Sequence, residues 1–188
     1  MGKKFPEIKG NMGFGLLRVP QFEQGVVDIE QEKKMVDIFM EAGFNYFDTS
    51  HNYLGGASEA SVKPCITDRY PRDSYILADK LSRAYFSCPE DIRPLFQKQL
   101  DICGVDYFDF YIMHSQNMRR YKMFTERGAY EVVKELKEEG KIRHIGISFH
   151  DKADVLELIL SEHPEIEVVQ IQFNYYDYES PSDRKSVV

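Results

Sequence analysis

The sequence predicts an α/β fold: a parallel sheet covered by helices. Apolar runs and amphipathic stretches alternate about five times along the 188 residues, and the connections between them are short. One run, Tyr107 to Met113, is apolar or aromatic at every position but Asp109, as expected of a strand covered on both faces. Strand–helix–strand crossovers are right-handed, which leaves a doubly wound sheet and a (β/α) barrel as the candidates.

The elements follow in order. From Asn11 to Val19, the residues Met12, Phe14, Leu16, Leu17 and Val19 surround Gly13 and Gly15. This reads as a short strand whose glycines permit close backbone approach, to a neighbour or to a ligand. Asp28 with Gln31 resembles a capping box; Met35, Ile38, Phe39 and Ala42 share a helical face, and Gly43 stops the helix. Phe44 to Phe47 is the next strand, Ser58 and Glu59 open a helix running to about Ile66, and Ser74 to Ala78 is a third strand.

Pro89 suits a helix first turn, and Ile92, Leu95, Phe96, Leu100 and Cys103 form its apolar stripe; Pro94 is expected still in the first turn. After the Tyr107 to Met113 strand, Ala129, Val132, Val133 and Leu136 mark a helix ended by Gly140, with a solvated charged face from Glu131 to Lys141. His144 to Ser148 is a strand. Asp151 is expected to cap a helix bearing Val155, Leu156, Ile159 and Leu160, and Val168 to Phe173 is the sixth strand. No internal repeat or linker interrupts this single domain.

Composition excludes several functions. Lys and Arg number 24 against 31 Asp and Glu, a net charge of −7, and no basic run exceeds two residues, so neither nucleic acid nor an anionic membrane is an expected partner. No apolar run approaches the roughly 20 residues of a membrane helix, and the N-terminus lacks a signal peptide's apolar core, so a cytoplasmic protein is expected. Cys65, Cys88 and Cys103 form no C-x-x-C pair and read as small buried hydrophobes. No H-x-H or H-E-x-x-H spacing supports a metal-dependent hydrolase built on Asp48, His51, His114, His144 and His150.

In either architecture function gathers at the carboxyl ends of the strands. Just past those ends the sequence puts Asp48 with Tyr53, Lys80, His114, Ser148 and Gln170. A phenol is a poor acid at neutral pH unless a neighbouring ammonium favours its phenolate, and Lys80 would supply that charge. Asp48 would hold the ammonium, and His114 would donate a hydrogen bond to a carbonyl.

The run Asp48-Thr49-Ser50-His51-Asn52-Tyr53, with Gly56 and Ser58-Glu59 after it, resembles the Asp-Thr-Ala-x-x-Tyr…Ser-Glu signature of the aldo-keto reductases. Gly140-Lys141-Ile142-Arg143 leading to Gly146-Ile147-Ser148 looks like a second family signature, and the likeness extends from Gly13 to about Ser182. The resemblance implies a (β/α)8 TIM barrel and a catalytic tetrad of Asp48, Tyr53, Lys80 and His114. It also implies NADPH or NADH as cofactor, bound without a Gly-rich dinucleotide fingerprint, and a small aldehyde or ketone as substrate. Ser148 and Gln170 would bind the nicotinamide carboxamide, the backbone at Gly15 and Leu16 would line the cofactor cleft, Asp48 would join them in cofactor binding, and no metal is implied. Most members follow the fifth-strand Ser with Asn; here Phe149 and His150 follow Ser148. That variation resembles a bacterial and archaeal branch whose longer members carry a C-terminal ferredoxin-like segment, so an iron–sulfur cluster is expected only in a full-length parent.

About six of the barrel's eight strands are accounted for. In the family, residues after the missing two hold the adenosine phosphates, so a competing expectation is an inactive fragment without tight cofactor binding. Asp183-Arg184-Lys185-Ser186-Val187-Val188 does not resemble the family's continuation; it matches one reading frame of a DNA sequencing adapter ahead of a stop codon. Residues 183–188 are therefore expected to be a non-native tail on a barrel of residues 1–182.

Overall fold

A strand order that runs with the chain separates the two predicted architectures. The computed structural model of the protein describes residues 5–172. Its elements are β1 (Gly13–Gly15), β2 (Gln21–Glu23), β3 (Val26–Val27), α1 (Ile29–Glu41), β4 (Tyr46–Asp48), α2 (Ala57–Val62) and β5 (Ile76–Leu81). There follow α3 (Pro89–Cys103), β6 (Phe108–Gln116), α4 (Met118–Glu126), α5 (Ala129–Glu138), β7 (Ile142–Phe149), α6 (Ala153–Glu162) and β8 (Val168–Ile171). The six-stranded sheet has the order β1-β4-β5-β6-β7-β8, with β2 and β3 paired apart as a small antiparallel ribbon. A doubly wound sheet reverses its order at a switch point; this one never reverses, as in a barrel.

The chain divides into a first unit, up to Lys80 with Phe96–Phe110, and a second, Leu81–Leu95 with residues from Tyr111 onward. In the first, β1, β4 and β5 pair in parallel with Gly15 opposite Asp48 and Asp48 opposite Ala78. Gly13 is there for close approach: a Cβ would stand 2.9 Å from the ring of Tyr46. Phe14, Phe39 and Phe47 pack edge-on or tilted at 5.2–5.8 Å between centroids, and Phe96 meets Phe108 edge-on. Asp109, the one polar residue in the Phe108–Met113 part of its strand, accepts from Leu77 N (2.9 Å) and Arg72 Nη2 (2.7 Å) in the core. In the second unit β7 and β8 pair in parallel with Ser148 opposite Gln170; Val133, Leu136 and Ile159 are buried, and the ring of Phe86 packs edge-on to Phe124.

Several sequence expectations need correction. Asp28 does cap α1, its side chain accepting from Gln31 N. The buried face, however, is Glu32, Val36 and Phe39, while Ile38 is 67% exposed. The face is turned because Glu32 fills a core position, Oε1 accepting from Ser61 Oγ at 2.9 Å. The predicted 58–66 helix is α2 followed by a π-helical turn, Lys63–Thr67; Pro64 has no N–H for the regular i→i−4 bond, so the widened turn is a natural place for it. Pro94 lies inside α3, beyond its first turn. Asp151 caps no helix of its own: Oδ2 accepts from Met118 N at the start of α4, and α6 begins after Lys152 without a side-chain cap. The Asn11 to Val19 strand contracts to β1 and a 3-10 turn at Leu16–Arg18. Cys65 and Cys103 are buried as expected, but Cys88 is half-exposed. The charged face of α5 is partly engaged, Arg93 bonding Glu135 and Glu139. Phe173 and residues 183–188 lie outside the described residues.

Glu32 provides a stability test. Burial pushes its carboxyl up to about 7 from 4.5, and Oε2 has no oxygen or nitrogen partner among the described residues. The folded state then holds a proton that the unfolded chain releases, so stability falls as pH rises from 4.5 to about 7. Denaturant titration should find Glu32→Gln similar to wild type at the acid end of this window. Above it, the variant should be more stable by up to about 3 kcal/mol; equal stability at both ends would rule the effect out.

Candidate active site

In the first unit the ends of β4 and β5 converge on one ammonium. Thr49 N donates to Ala78 O at 2.9 Å, continuing the strand pairing past Asp48. Lys80, 1% exposed, donates from Nζ to Asp48 Oδ1 (2.5 Å) and to Thr49 O (2.8 Å). The same ammonium lies 4.7 Å from the ring centroid of Tyr53, close enough for a cation–π attraction. Tyr53 is delivered by a tight turn in which its N–H donates to Ser50 O. Leu54 after it has φ +53°, a costly conformation for a branched side chain and one concentrated at functional sites.

Behind Lys80 lies a buried acid network. His51 Nδ1 is 2.5 Å from Glu59 Oε2, and Gln99 Nε2 donates to Glu59 Oε1 (2.9 Å) and to Lys80 O (3.2 Å). Asp79 Oδ1 accepts from Lys80 N at 2.7 Å. Burial first, and the neighbouring Glu59 second, hold the Asp79 carboxyl well above the usual carboxylate range. Among the described residues its Oδ2 receives no N–H or O–H, and a proton retained there would be donated to the neighbouring Glu59 as a carboxyl–carboxylate bond.

In the second unit, His114 Nδ1 meets Ser82 Oγ at 2.8 Å. Ser115, next in the chain, has φ +57°; like Leu54 it is a left-handed non-glycine residue directly after a candidate side chain. Ser115 N donates to Ser148 Oγ (3.2 Å), which also meets His150 Nε2 (3.3 Å). Phe149 is fully buried, so the residue after Ser148 serves the core while His150 engages its hydroxyl. Gln170 is exposed beside Ser148 in the strand register.

The placement of these groups differs from expectation in one respect. Asp48, Lys80, His114, Ser148 and Gln170 lie within their strands, not past the ends. β5 starts two residues later than Ser74 because Arg72–Ser74 forms a 3-10 turn, and β6 and β7 run on to Gln116 and Phe149. Asp48, Tyr53 and Lys80 are brought together in the first unit. Gly15 has open space where a Cβ would be, whereas the Leu16 side chain is fully buried, so only the Leu16 backbone is available to a ligand. Sequence reading missed Ser82, two residues after Lys80, and the Glu59–Asp79–Gln99 network, whose signal was two carboxylates and an amide at core positions.

The aldo/keto reductase family profile matches residues 11–187. The NADH-specific methylglyoxal reductase of Escherichia coli is 28% identical over 163 residues, covering 76% of this chain and 48% of that protein. Among solved structures, an aldo-keto reductase from Bacillus halodurans in its holo form superposes with a TM-score of 0.70 at 25% identity, over 86% of this chain and 53% of that one. An aldo-keto reductase from Klebsiella pneumoniae in complex with NADPH gives 0.69 at 20% identity, over 86% and 53%. The chain thus spans about half the length of the curated relatives it matches, and its sheet is an incomplete (β/α)8 barrel.

Proposed function

The chain belongs to the aldo/keto reductase family, and from that premise we propose that its protein reduces an aldehyde or ketone to an alcohol with Tyr53 as proton donor. The observation that carries this reading is the buried Lys80 ammonium, held by Asp48 and Thr49 O and set against the Tyr53 ring. Such a charge stabilises the phenolate left when the phenol gives its proton to a carbonyl oxygen. The resemblance gives His114 the part of orienting the carbonyl, and Ser82 holds its ring for that part. When bound, a reduced nicotinamide dinucleotide supplies the hydride.

Taken unit by unit, the residues present suit the nicotinamide end of that cofactor. In the first unit Gly15 leaves open space beside the strand that ends in Asp48; in the second, Ser148 and Gln170 are register partners able to serve a carboxamide. NADH is named for the Escherichia coli relative and NADPH for the Klebsiella structure; either would serve. An iron–sulfur cluster does not fit the cysteines here. Burial pushes the Cys65 thiol up to about 12 and Cys103 well above its ordinary value, whereas cluster ligands must be thiolates.

Adding an aldehyde to the full-length protein with NADPH or NADH should consume the reduced cofactor and yield the alcohol. Cofactor binding without consumption across a panel of aldehydes and ketones would sink the proposal. A second reading, that the 188-residue chain holds the cofactor too weakly to turn over, is favoured by its covering 48% of the first relative's length. Fluorescence titration of the chain with NADPH tests it, and tight saturable binding would refute it.

A further inference from the structure

The second unit contains a cavity of about 500 Å³ whose lining includes Arg83, Arg119, Arg120, Lys122 and Glu126. Four cations and one carboxylate share this concavity, in a chain of net charge −7. Elsewhere the fold sets arginines on carboxylates: Arg69 on Asp37, Arg72 on Asp109, Arg93 on Glu135 and Glu139. Among the described residues no carboxylate lies within ion-pairing distance of Arg83, Arg119, Arg120 or Lys122; the ion pairs found all involve other cations. Like charges gathered in one concavity repel one another unless an anion enters.

The cavity is tied to His114 on two sides. Arg83 directly follows Ser82, whose Oγ meets His114 Nδ1 at 2.8 Å. Arg120 Nη1 donates to the carbonyl of Ser115, the left-handed residue after His114, at 2.8 Å. That bond uses one of the five N–H donors of the guanidinium and fixes its position; the others remain for a ligand. Asn117 also lines the cavity, its Oδ1 capping α4 through Arg120 N. An anion held here would be anchored through groups that also set the position of His114.

We propose that this cavity binds a phosphate group carried by the carbonyl substrate, so that the substrate class is a phosphorylated aldehyde or ketone. The substrate assignment rests on the reductase reading above; the phosphate site does not. Phosphate is favoured over carboxylate because four cations less one carboxylate leave an excess of three positive charges, which suits a dianion and its three acceptor oxygens better than a monoanion.

Calorimetric titration of the 188-residue chain with inorganic phosphate should give saturable binding. It should weaken by roughly tenfold or more in Arg83→Gln/Lys122→Gln, two exposed positions, and strengthen in Glu126→Gln, as expected for charge-assisted contacts. Arg93→Gln, at a paired arginine elsewhere, should bind like wild type. Absence of saturable binding, or equal binding by the double variant, overturns the site. Acetate binding as tightly as phosphate overturns the choice of phosphate. Adenosine 2′-phosphate binding more than roughly tenfold tighter than inorganic phosphate, with the same dependence on Arg83 and Lys122, would assign the site to the nucleotide cofactor and overturn the substrate assignment. The readout needs no turnover, so failure here leaves carbonyl reduction standing, and an inactive protein that still binds phosphate would count against the reductase reading alone.

Discussion

Tyr53→Phe is expected to lower carbonyl reduction by the full-length protein by roughly 10²–10⁴-fold, with binding of reduced cofactor retained. Phe keeps the ring 4.7 Å from the Lys80 ammonium and removes only the acidic oxygen, so the loss reads proton donation with little change in packing. Lys80→Met is the informative comparison. It removes the ammonium but leaves Asp48 buried without its 2.5 Å partner, and breaking a buried pair from one side costs about 3–5 kcal/mol. Both variants should lose turnover, but only Lys80→Met should shift the urea midpoint of the 188-residue chain substantially. Undiminished turnover in Tyr53→Phe would remove that residue from the reaction, whatever its neighbours do.

The contrast between those variants shows what was readable beforehand. The Asp48–Lys80 pair could be anticipated because strand ends in a parallel sheet converge and a carboxylate seeks an ammonium there. The apolar stripes of α3 and α5 were equally plain, since Ile92, Phe96, Leu100, Val133 and Leu136 repeat at helical spacing and all are buried. The α1 face was misread by one position because a core-facing carboxylate breaks a hydrophobic count: Glu32 is held through Oε1 by Ser61, 29 residues away. Helix α4 left no such stripe. Of its nine residues only Tyr121 and Phe124 are buried, and its arginines share a cavity with Arg83, 36 residues or more away in the chain, which no local pattern shows. The β2–β3 ribbon was invisible because three residues against two are too few to show alternation. Long-range polar pairing and very short elements are what pattern reading loses, and the network behind Lys80 is made of the former.

That network carries the second large effect. Asp79→Asn is expected to remove a pH dependence of stability without loss at acid pH. The wild-type carboxyl is held well above its unfolded value of 3.8, so through the interval between the two values the folded state binds one proton more than the unfolded chain. Stability therefore falls as pH rises through that interval, by about 1.4 kcal/mol per pH unit, until the folded-state value is reached. Asn has no proton to release, and it keeps an oxygen for Lys80 N and an N–H for Glu59, the two contacts that the protonated acid makes. Wild type and variant should thus be close in stability near the lower end of the interval and diverge above it in favour of Asn; the contribution of Glu32 is common to both and cancels. Glu59→Gln should behave otherwise, since it replaces the acceptor facing His51 Nδ1 and is destabilising at every pH. Denaturant midpoints of the three chains across pH supply the measurement. Parallel curves for wild type and Asp79→Asn would show that Asp79 is ionised in the fold, and that the carboxyl–carboxylate bond beside Lys80 does not exist.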